Sequence, residues 1–174
     1  MRDAAEEAAR YAIAVTPQER VSSALANLGL PSHVVEYGES TRTADEAASA
    51  VGCETGQIVK TLYFSADGRP TIVLVAGDRQ ADTARLAEIL GIGRKKLKMG
   101  SPDEVLAATG FAVGGVAPVG LATPCDVVVD DSLKRFDRVW AAAGSGHAVF
   151  EAVTGALVAA ISGQWAEIAR TAAE

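Results

Sequence analysis

The chain has 174 residues, of which 49% are hydrophobic, so it is long enough to bury a core and too apolar to stay disordered. Its formal net charge of -6 argues against a protein that coats nucleic acid, because binding along a phosphate backbone requires an excess of Lys and Arg. Two cysteines and two histidines are too few for a disulfide framework or a histidine-rich metal site, so neither is expected.

Residues 1–15 are rich in alanine and carry Glu6, Glu7 and Arg10. This composition predicts a short helix or a frayed N-terminal extension ahead of one domain at residues 16–174. The segment lacks the long apolar stretch of a signal peptide. No apolar run reaches the ~18 residues that a transmembrane helix needs. We therefore expect a cytoplasmic protein that does not bind membranes.

Capping sequences predict the first two helices. A capping box at residues 16–19 starts a helix that Gly29 ends, and a second box at residues 43–46 starts a helix that Gly52 ends. Between them, residues 33–37 alternate in polarity as a strand does.

The middle of the chain predicts a hairpin. Residues 58–64 form its first strand, Asp67-Gly68 its tight turn, and residues 71–76 a returning strand apolar enough to be central. The elements that follow are helices at 82–90 and 101–110, with a short strand at 96–99 between them.

The last third of the chain alternates predicted strands and helices. Strands are expected at 126–129, 139–143, 147–150 and 158–161, and helical segments at 151–154 and 164–171. Because helices and strands mix without a βαβ repeat, the sequence favours an α/β fold with a mixed sheet and peripheral helices.

Lys60 is the first residue that suggests chemistry, since it interrupts an otherwise mostly apolar strand. A lysine on a half-buried strand is costly to desolvate unless it has a partner or a function. The alternative is a lysine on the solvent face of an amphipathic strand.

The second candidate is the segment 114–120, Gly-Gly-Val-Ala-Pro-Val-Gly, which fits neither a helix nor a regular strand. Such a loop can direct backbone N–H groups at a carbonyl, as an oxyanion hole does. The alternative is a plain tight connection. A basic patch at Arg94, Lys95, Lys96 and Lys98 is either a contact for one end of a nucleic acid or a solvated surface.

Together, Lys60 and the glycine-rich loop resemble the YbaK/ProX/EbsC-type editing domains. Residues 58–62, Ile-Val-Lys-Thr-Leu, are similar to the family's lysine-bearing strand, and residues 114–120 to its Gly-x-x-x-Pro loop, in the same order. The resemblance covers roughly residues 21–170. It implies a compact fold with a barrel-like mixed sheet and an activity that hydrolyses the ester joining a wrong amino acid to the tRNA 3′ adenosine.

The resemblance also implies site residues. Lys60 would hold the tRNA end through a phosphate or the terminal adenosine, and the loop backbone from Gly114 through Gly115 to Pro118 would cradle the aminoacyl group. Tyr37 and Thr61 would line the pocket.

Three further positions bear on which amino acid is removed. Ala117 stands where many members have serine, Ala142 where Cys-editing members tend to have serine, and His147 near a histidine of other branches. The expected error is Cys or Ala on tRNA for proline, or a similar small amino acid.

The expected partner is mischarged tRNA, with an aminoacyl-tRNA synthetase as an optional helper, and no cofactor, metal or DNA is expected. Two other functions stay open. One is a non-catalytic module that binds aminoacyl-tRNA or a small ligand, and the other is a regulatory protein acting through its helical ends and N-terminal segment. Cys53 and Cys125 are expected to be packing residues, because no base-bearing, electropositive neighbourhood activates either thiol.

Overall fold

The computed structural model describes residues 15–39 and 41–172. The N-terminal extension predicted at residues 1–15 lies, except for Val15, outside the described residues. The described part is a mixed α/β fold, which confirms the predicted fold class.

Helices and strands alternate along the chain. The helices are α1 (Pro17–Asn27), α2 (Ala44–Val51), α3 (Thr83–Ile89), α4 (Pro102–Thr109) and α5 (Thr154–Ala160), and short 3-10 turns span Thr55–Gln57, Arg94–Lys96 and Asp131–Arg135. The strands are β1 (Val34–Glu36), β2 (Ile58–Ala66), β3 (Arg69–Ala76), β4 (Arg79–Ala81), β5 (Leu97–Met99), β6 (Asp126–Asp130), β7 (Arg138–Ala142), β8 (Ala148–Val153), β9 (Gln164–Ala166) and β10 (Ala169–Thr171).

The main sheet runs in the order β1-β8-β7-β2-β3-β6-β9, and β5 also pairs with β2. Its pairs are mixed: β2 with β7, β3 with β6 and β6 with β9 are parallel, and the others are antiparallel. A separate antiparallel pair joins β4 and β10.

The predicted hairpin forms the centre of the sheet. Asp67 and Gly68 both have positive φ, 51° and 82°, which is the backbone of the type I′ turn that matches the twist of paired strands. In β3, Ile72 and Leu74 pack in the core beneath α1, while Val73 and Val75 pack on the opposite face. Each is at most 1% exposed, a burial that contributes about 1.5–3 kcal/mol per side chain.

Three predictions for the last third of the chain are wrong. Residues 151–154 were expected to be helical, but 151–153 continue β8 and the helix starts only at Thr154. Residues 158–161 were expected to be a strand, but they lie at the end of α5, where Ile161 N donates to the Leu157 carbonyl. A short apolar run fits a buried helix as well as a strand.

The third error concerns residues 164–171, which form β9 and β10 in place of a helix. Their structure depends on distant partners, since β9 pairs with β6 and β10 with β4. Buried Asp130 also accepts hydrogen bonds from the backbone N–H groups of Ile168 and Ala169. Within residues 15–39 and 41–172, no helix is long and apolar enough to cross a membrane.

Candidate active site

A cleft of about 600 Å³ lies against the edge of β2. Five consecutive residues of that strand, 58–62, line it. Side chains alternate between the two faces of a strand, so five neighbours can border one cavity only along the strand's edge. The volume falls within the ~300–1,000 Å³ that is typical of small-ligand sites.

The edge is open because the two strands on that side of β2 leave a gap. β7 pairs with β2 at Ile58 and Val59, and β5 pairs with it from Phe64 to Ala66. Within the described residues, no strand pairs with positions 60–63 on this side. On the opposite side, β3 pairs with β2 without interruption. The cleft therefore occupies a break in the sheet.

Lys60 lies at this break, half buried, and its Nζ donates a hydrogen bond to the Arg79 carbonyl oxygen at 2.7 Å. An ammonium has three donors, so two remain for a ligand in the cleft. Burial lowers the pKa of Lys60, and the nearby carboxylates of Asp78 and Asp45 oppose this by favouring the charged form. A partly dehydrated ammonium with free donors can hold a phosphate or a hydroxyl group.

The carbonyl that accepts from Lys60 is held by an ion-pair network. Arg135 donates to both carboxylate oxygens of Asp78, at 2.6 and 3.0 Å, and Arg79 donates to the same carboxylate at 3.0 Å. The hydrogen bond from Arg135 is the main cause that holds the pKa of Asp78 below its usual value. This network fixes the turn between β3 and β4 and, with it, the direction of the Lys60 side chain.

The glycine-rich loop reaches the cleft only through part of its length. Gly114 and Val116 line the cleft, whereas Gly115, Ala117 and Pro118 are buried and do not line it. Gly115 N donates to the Ala112 carbonyl at 3.1 Å, so that N–H is already used inside the loop. Pro118 has no N–H to offer.

Gly115 has a packing role that only glycine allows. A Cβ at this position would lie 2.5 Å from the Ser145 Cα and 2.7 Å from its backbone N. The loop at 114–120 therefore contacts the β7–β8 connection backbone to backbone. This contact sets the distance between two walls of the cleft.

The segment around Tyr37 forms a third wall. Tyr37 N donates to the His147 carbonyl and Thr41 N to the Gly146 carbonyl, both at 2.9 Å. Tyr37 and Thr41 line the cleft, and their hydroxyls lie 3.3 Å apart. The side chain of His147 is exposed and is not part of the lining, so this residue contributes through its backbone.

The structure thus brings together five of the residues that the sequence singled out: Tyr37, Lys60, Thr61, Gly114 and Ala142 all line the cleft. Sequence reasoning missed Ser145, which also lines it. Ser145 Oγ accepts hydrogen bonds from Gln18 Nε2 at 3.0 Å and from the His147 backbone N at 3.2 Å. Only the glycines on both sides of Ser145 could have suggested its place.

The remaining candidates lie away from the cleft. The basic patch is exposed at the opposite end of β2, where Lys96 pairs with Asp67 at 3.1 Å. Cys53 and Cys125 are free thiols whose pKa burial raises, as expected for packing residues. In the part of the chain that the structure describes, no three His, Cys, Asp or Glu side chains are grouped closely enough to hold a metal ion.

The sequence is similar to a known family model and to proteins of other organisms. A sequence model of the aminoacyl-tRNA editing domain matches residues 38–160. YwhH, an uncharacterised protein of Bacillus subtilis (strain 168), is 40% identical over 119 residues, which make up 68% of this chain and 74% of YwhH. The proline–tRNA ligase of Nitratidesulfovibrio vulgaris (Hildenborough) is 39% identical over 98 residues, which make up 56% of this chain and 17% of the ligase.

Solved structures give the same result. A structure described as a candidate trans-editing enzyme for prolyl tRNA synthetase has a TM-score of 0.83 and 40% identity, and the match covers 88% of this chain and 97% of that one. The hypothetical protein APE2540 has a TM-score of 0.80 and 29% identity, with 87% of this chain and 100% of that one covered. The predicted resemblance is confirmed, and the chain belongs to the aminoacyl-tRNA editing domain family.

Proposed function

We propose that this chain is a trans-editing hydrolase, which cleaves the ester between a wrongly attached amino acid and the 3′ adenosine of tRNA. One observation carries the proposal: the half-buried Lys60 lines the same cleft as Gly114, in a chain that belongs to the editing-domain family. A structural lysine on a solvent-facing strand would not need such a cleft.

In this proposal, Lys60 holds the tRNA terminus. Its two remaining donors bind a phosphate or a hydroxyl group of the terminal adenosine, which leaves the aminoacyl group beside Gly114 and β7. The overall negative charge of the chain weakens contact with the rest of the tRNA. A synthetase partner that supplies tRNA binding is compatible with that weakness.

The chemistry requires only an activated ester and a water molecule. The water oxygen adds to the acyl carbon, the bond from that carbon to the ribose oxygen breaks, and the ribose oxygen takes a proton. The products are a free amino acid and uncharged tRNA. Backbone N–H groups at the cleft stabilise the oxyanion that forms in between, at about 3 kcal/mol per donor. This route involves no metal and no covalent enzyme intermediate.

The substrate we propose is Cys or Ala attached to tRNA for proline, or a similar error with a small amino acid. Two similarities support it: the match to a proline–tRNA ligase, and the likeness to a structure described as a candidate trans-editing enzyme for prolyl tRNA synthetase. Pocket size would then exclude the larger, correct amino acid, because each extra methylene costs about 1–3 kcal/mol in a fitted pocket.

The test is deacylation of a panel of mischarged tRNAs by the wild-type chain, by Lys60→Ala and by Lys134→Ala. Lys134 is an exposed lysine outside both the cleft and the basic patch at 94–98, and it serves as the control. We expect Lys60→Ala to lose on the order of 10²-fold in kcat/KM through misplacement of the substrate, with Lys134→Ala close to wild type.

Thermal melting of each variant shows whether the loss reflects folding. If the wild-type chain binds the panel but hydrolyses none of it, the chain is a non-catalytic binding module. If Lys60→Ala retains wild-type turnover, Lys60 does not hold the substrate.

A further inference from the structure

The break between β2 and β7 leaves a peptide donor of β2 directed at the cleft. Gly100 N donates to the Tyr63 carbonyl, so the odd-numbered residues of β2 direct their peptide groups toward β5 and β7. Thr61 belongs to this set and lines the cleft. Its N–H makes no ladder bond among residues 15–39 and 41–172, because the pairing of β2 with β7 ends at Val59↔Ala141.

A peptide acceptor of β7 faces the same break. Ala143 N donates to the Ala148 carbonyl, so the odd-numbered residues of β7 bond to β8 and the even-numbered ones face β2. Ala142 is therefore directed at β2, and it also lines the cleft.

The two groups are the halves of one missing ladder bond. In a parallel ladder, the bond after the Val59↔Ala141 pair would join the Thr61 N–H to the Ala142 carbonyl. The pairing of β2 with β7 ends at Val59↔Ala141, so this bond is not made. The strands diverge there, and one donor and one acceptor are left facing each other across the cleft.

We propose that this pair binds the aminoacyl group itself, with the ester carbonyl oxygen accepting from the Thr61 N–H and the α-ammonium donating to the Ala142 carbonyl. An aminoacyl ester carries an acceptor, its carbonyl oxygen, and a donor, its α-ammonium, on adjacent carbons, so it can bridge the facing donor and acceptor in the place of the missing bond. The inference rests on the proposed function and names which part of the substrate the break recognises.

Recognition of this kind does not depend on the amino acid's side chain. Both contacts come from the main chain, so they are the same with Ala142 as with the serine that Cys-editing members tend to have at this position. In this arrangement the Thr61 N–H, next to Lys60, also stabilises the oxyanion. It takes the role that the glycine-rich loop was expected to fill, since the Gly115 N–H is already bonded to the Ala112 carbonyl. Selection among amino acids is then left to the walls of the cleft.

The proposed contact between the Thr61 N–H and the ester carbonyl is tested by replacing Thr61 with its α-hydroxy acid. This replacement turns the peptide N–H into an ester oxygen and keeps the side chain. We expect kcat/KM on the best mischarged tRNA to fall about 10²–10³-fold, the usual effect of losing an oxyanion donor. The melting temperature should stay at the wild-type value, because the deleted N–H makes no ladder bond among the described residues.

The matched control is the same replacement at Phe64, whose N–H faces β3 in the uninterrupted ladder. We expect this variant to melt at a lower temperature and to keep its kcat/KM. A Thr61 variant with wild-type kcat/KM would overturn the inference while wild-type deacylation continued to support the proposed function. A wild-type chain that hydrolyses no tRNA in the panel would instead refute the function.

The proposed contact between the α-ammonium and the Ala142 carbonyl is tested by varying the substrate. Alanyl-tRNA, lactyl-tRNA and N-acetylalanyl-tRNA differ in the group on the α-carbon, and each enzymatic rate is divided by its own uncatalysed rate. We expect lactyl-tRNA to lose at least about tenfold and N-acetylalanyl-tRNA more, because a hydroxyl donates more weakly than an ammonium and an acetyl group fills the break. Equal normalised rates would show that the ammonium is not bound.

Discussion

Gly115→Ala is the substitution that tests most sharply how the cleft is held together. The new Cβ would lie 2.5 Å from the Ser145 Cα and 2.8 Å from the Gly144 carbonyl carbon, whereas ordinary contacts begin at 3.4 Å. All the nearest atoms are backbone, so no side chain can rotate away. The loop at 114–120 and the β7–β8 connection must separate by about 0.9 Å, the difference between these distances.

Two magnitudes follow from this displacement. Overpacking of a well-packed contact costs about 1–3 kcal/mol of folding stability. Moving one wall of the site by about 1 Å costs on the order of 10²-fold in kcat/KM. We therefore expect a protein that is folded but less stable, and whose loss of activity exceeds its loss of folded population.

The assay combines urea unfolding with deacylation kinetics on mischarged tRNA. Gly155→Ala is the control, because nothing lies within 4 Å of its added Cβ and Gly155 does not line the cleft. Wild-type stability and activity in Gly115→Ala would refute the reasoning, since the backbone contact would then not set the cleft. A fully unfolded variant would refute the expected magnitude.

Three further predictions follow. The alkaline decline of kcat/KM should begin below pH 10.5, the ordinary pKa of lysine, because burial lowers the pKa of Lys60. Asp78→Asn should move this decline to lower pH still, because the Asp78 carboxylate favours the charged form of Lys60, whereas the control Glu88→Gln should not move it. The pKa of Asp78 is below its ordinary value of 3.8 in the folded protein, so its carboxylate stabilises the fold above pH 3.8. That stabilisation is lost as pH falls through the lower pKa of the folded state, so in this pH range the stability of Asp78→Asn should fall less steeply than that of the wild type. Thr16→Ala removes the side-chain cap on Glu19 N and should cost about 1 kcal/mol in urea unfolding, whereas Thr16→Ser should retain most of that stability.

Local signals in the sequence predicted much of the fold correctly. Capping sequences marked the starts of α1 and α2, and Asp67-Gly68 marked the central hairpin, because each depends on bonds between residues a few positions apart. The box at 43–46 forms only in part: Thr43 accepts from Glu46 N, but the Glu46 carboxylate accepts from Arg42 N. The segment 164–171 could not be predicted in this way. Its two strands form because β6, β4 and the buried carboxylate of Asp130 supply their hydrogen bonds, and none of these lies nearby in the sequence.

In the candidate site, too, the sequence revealed the local features and missed the contacts between distant residues. Lys60 and the loop at Gly114 stood out because their residue types break a local pattern. The acceptor of Lys60 is the main-chain carbonyl of Arg79, and the support of Ser145 is Gln18, which is 127 positions away. The break between β2 and β7 depends on where a strand pair ends, which residue types do not encode. These features follow from the topology and only the structure reveals them.

The most direct test of the whole account is a crystal structure of the chain with a 3′-alanylamido analogue of adenosine, whose amide resists hydrolysis. We expect the analogue to lie in the cleft at the break in the sheet, with its carbonyl oxygen within hydrogen-bond distance of the Thr61 backbone N and its adenosine on the Lys60 side. An analogue bound elsewhere, or in the cleft with its acyl group turned away from β2, would contradict it.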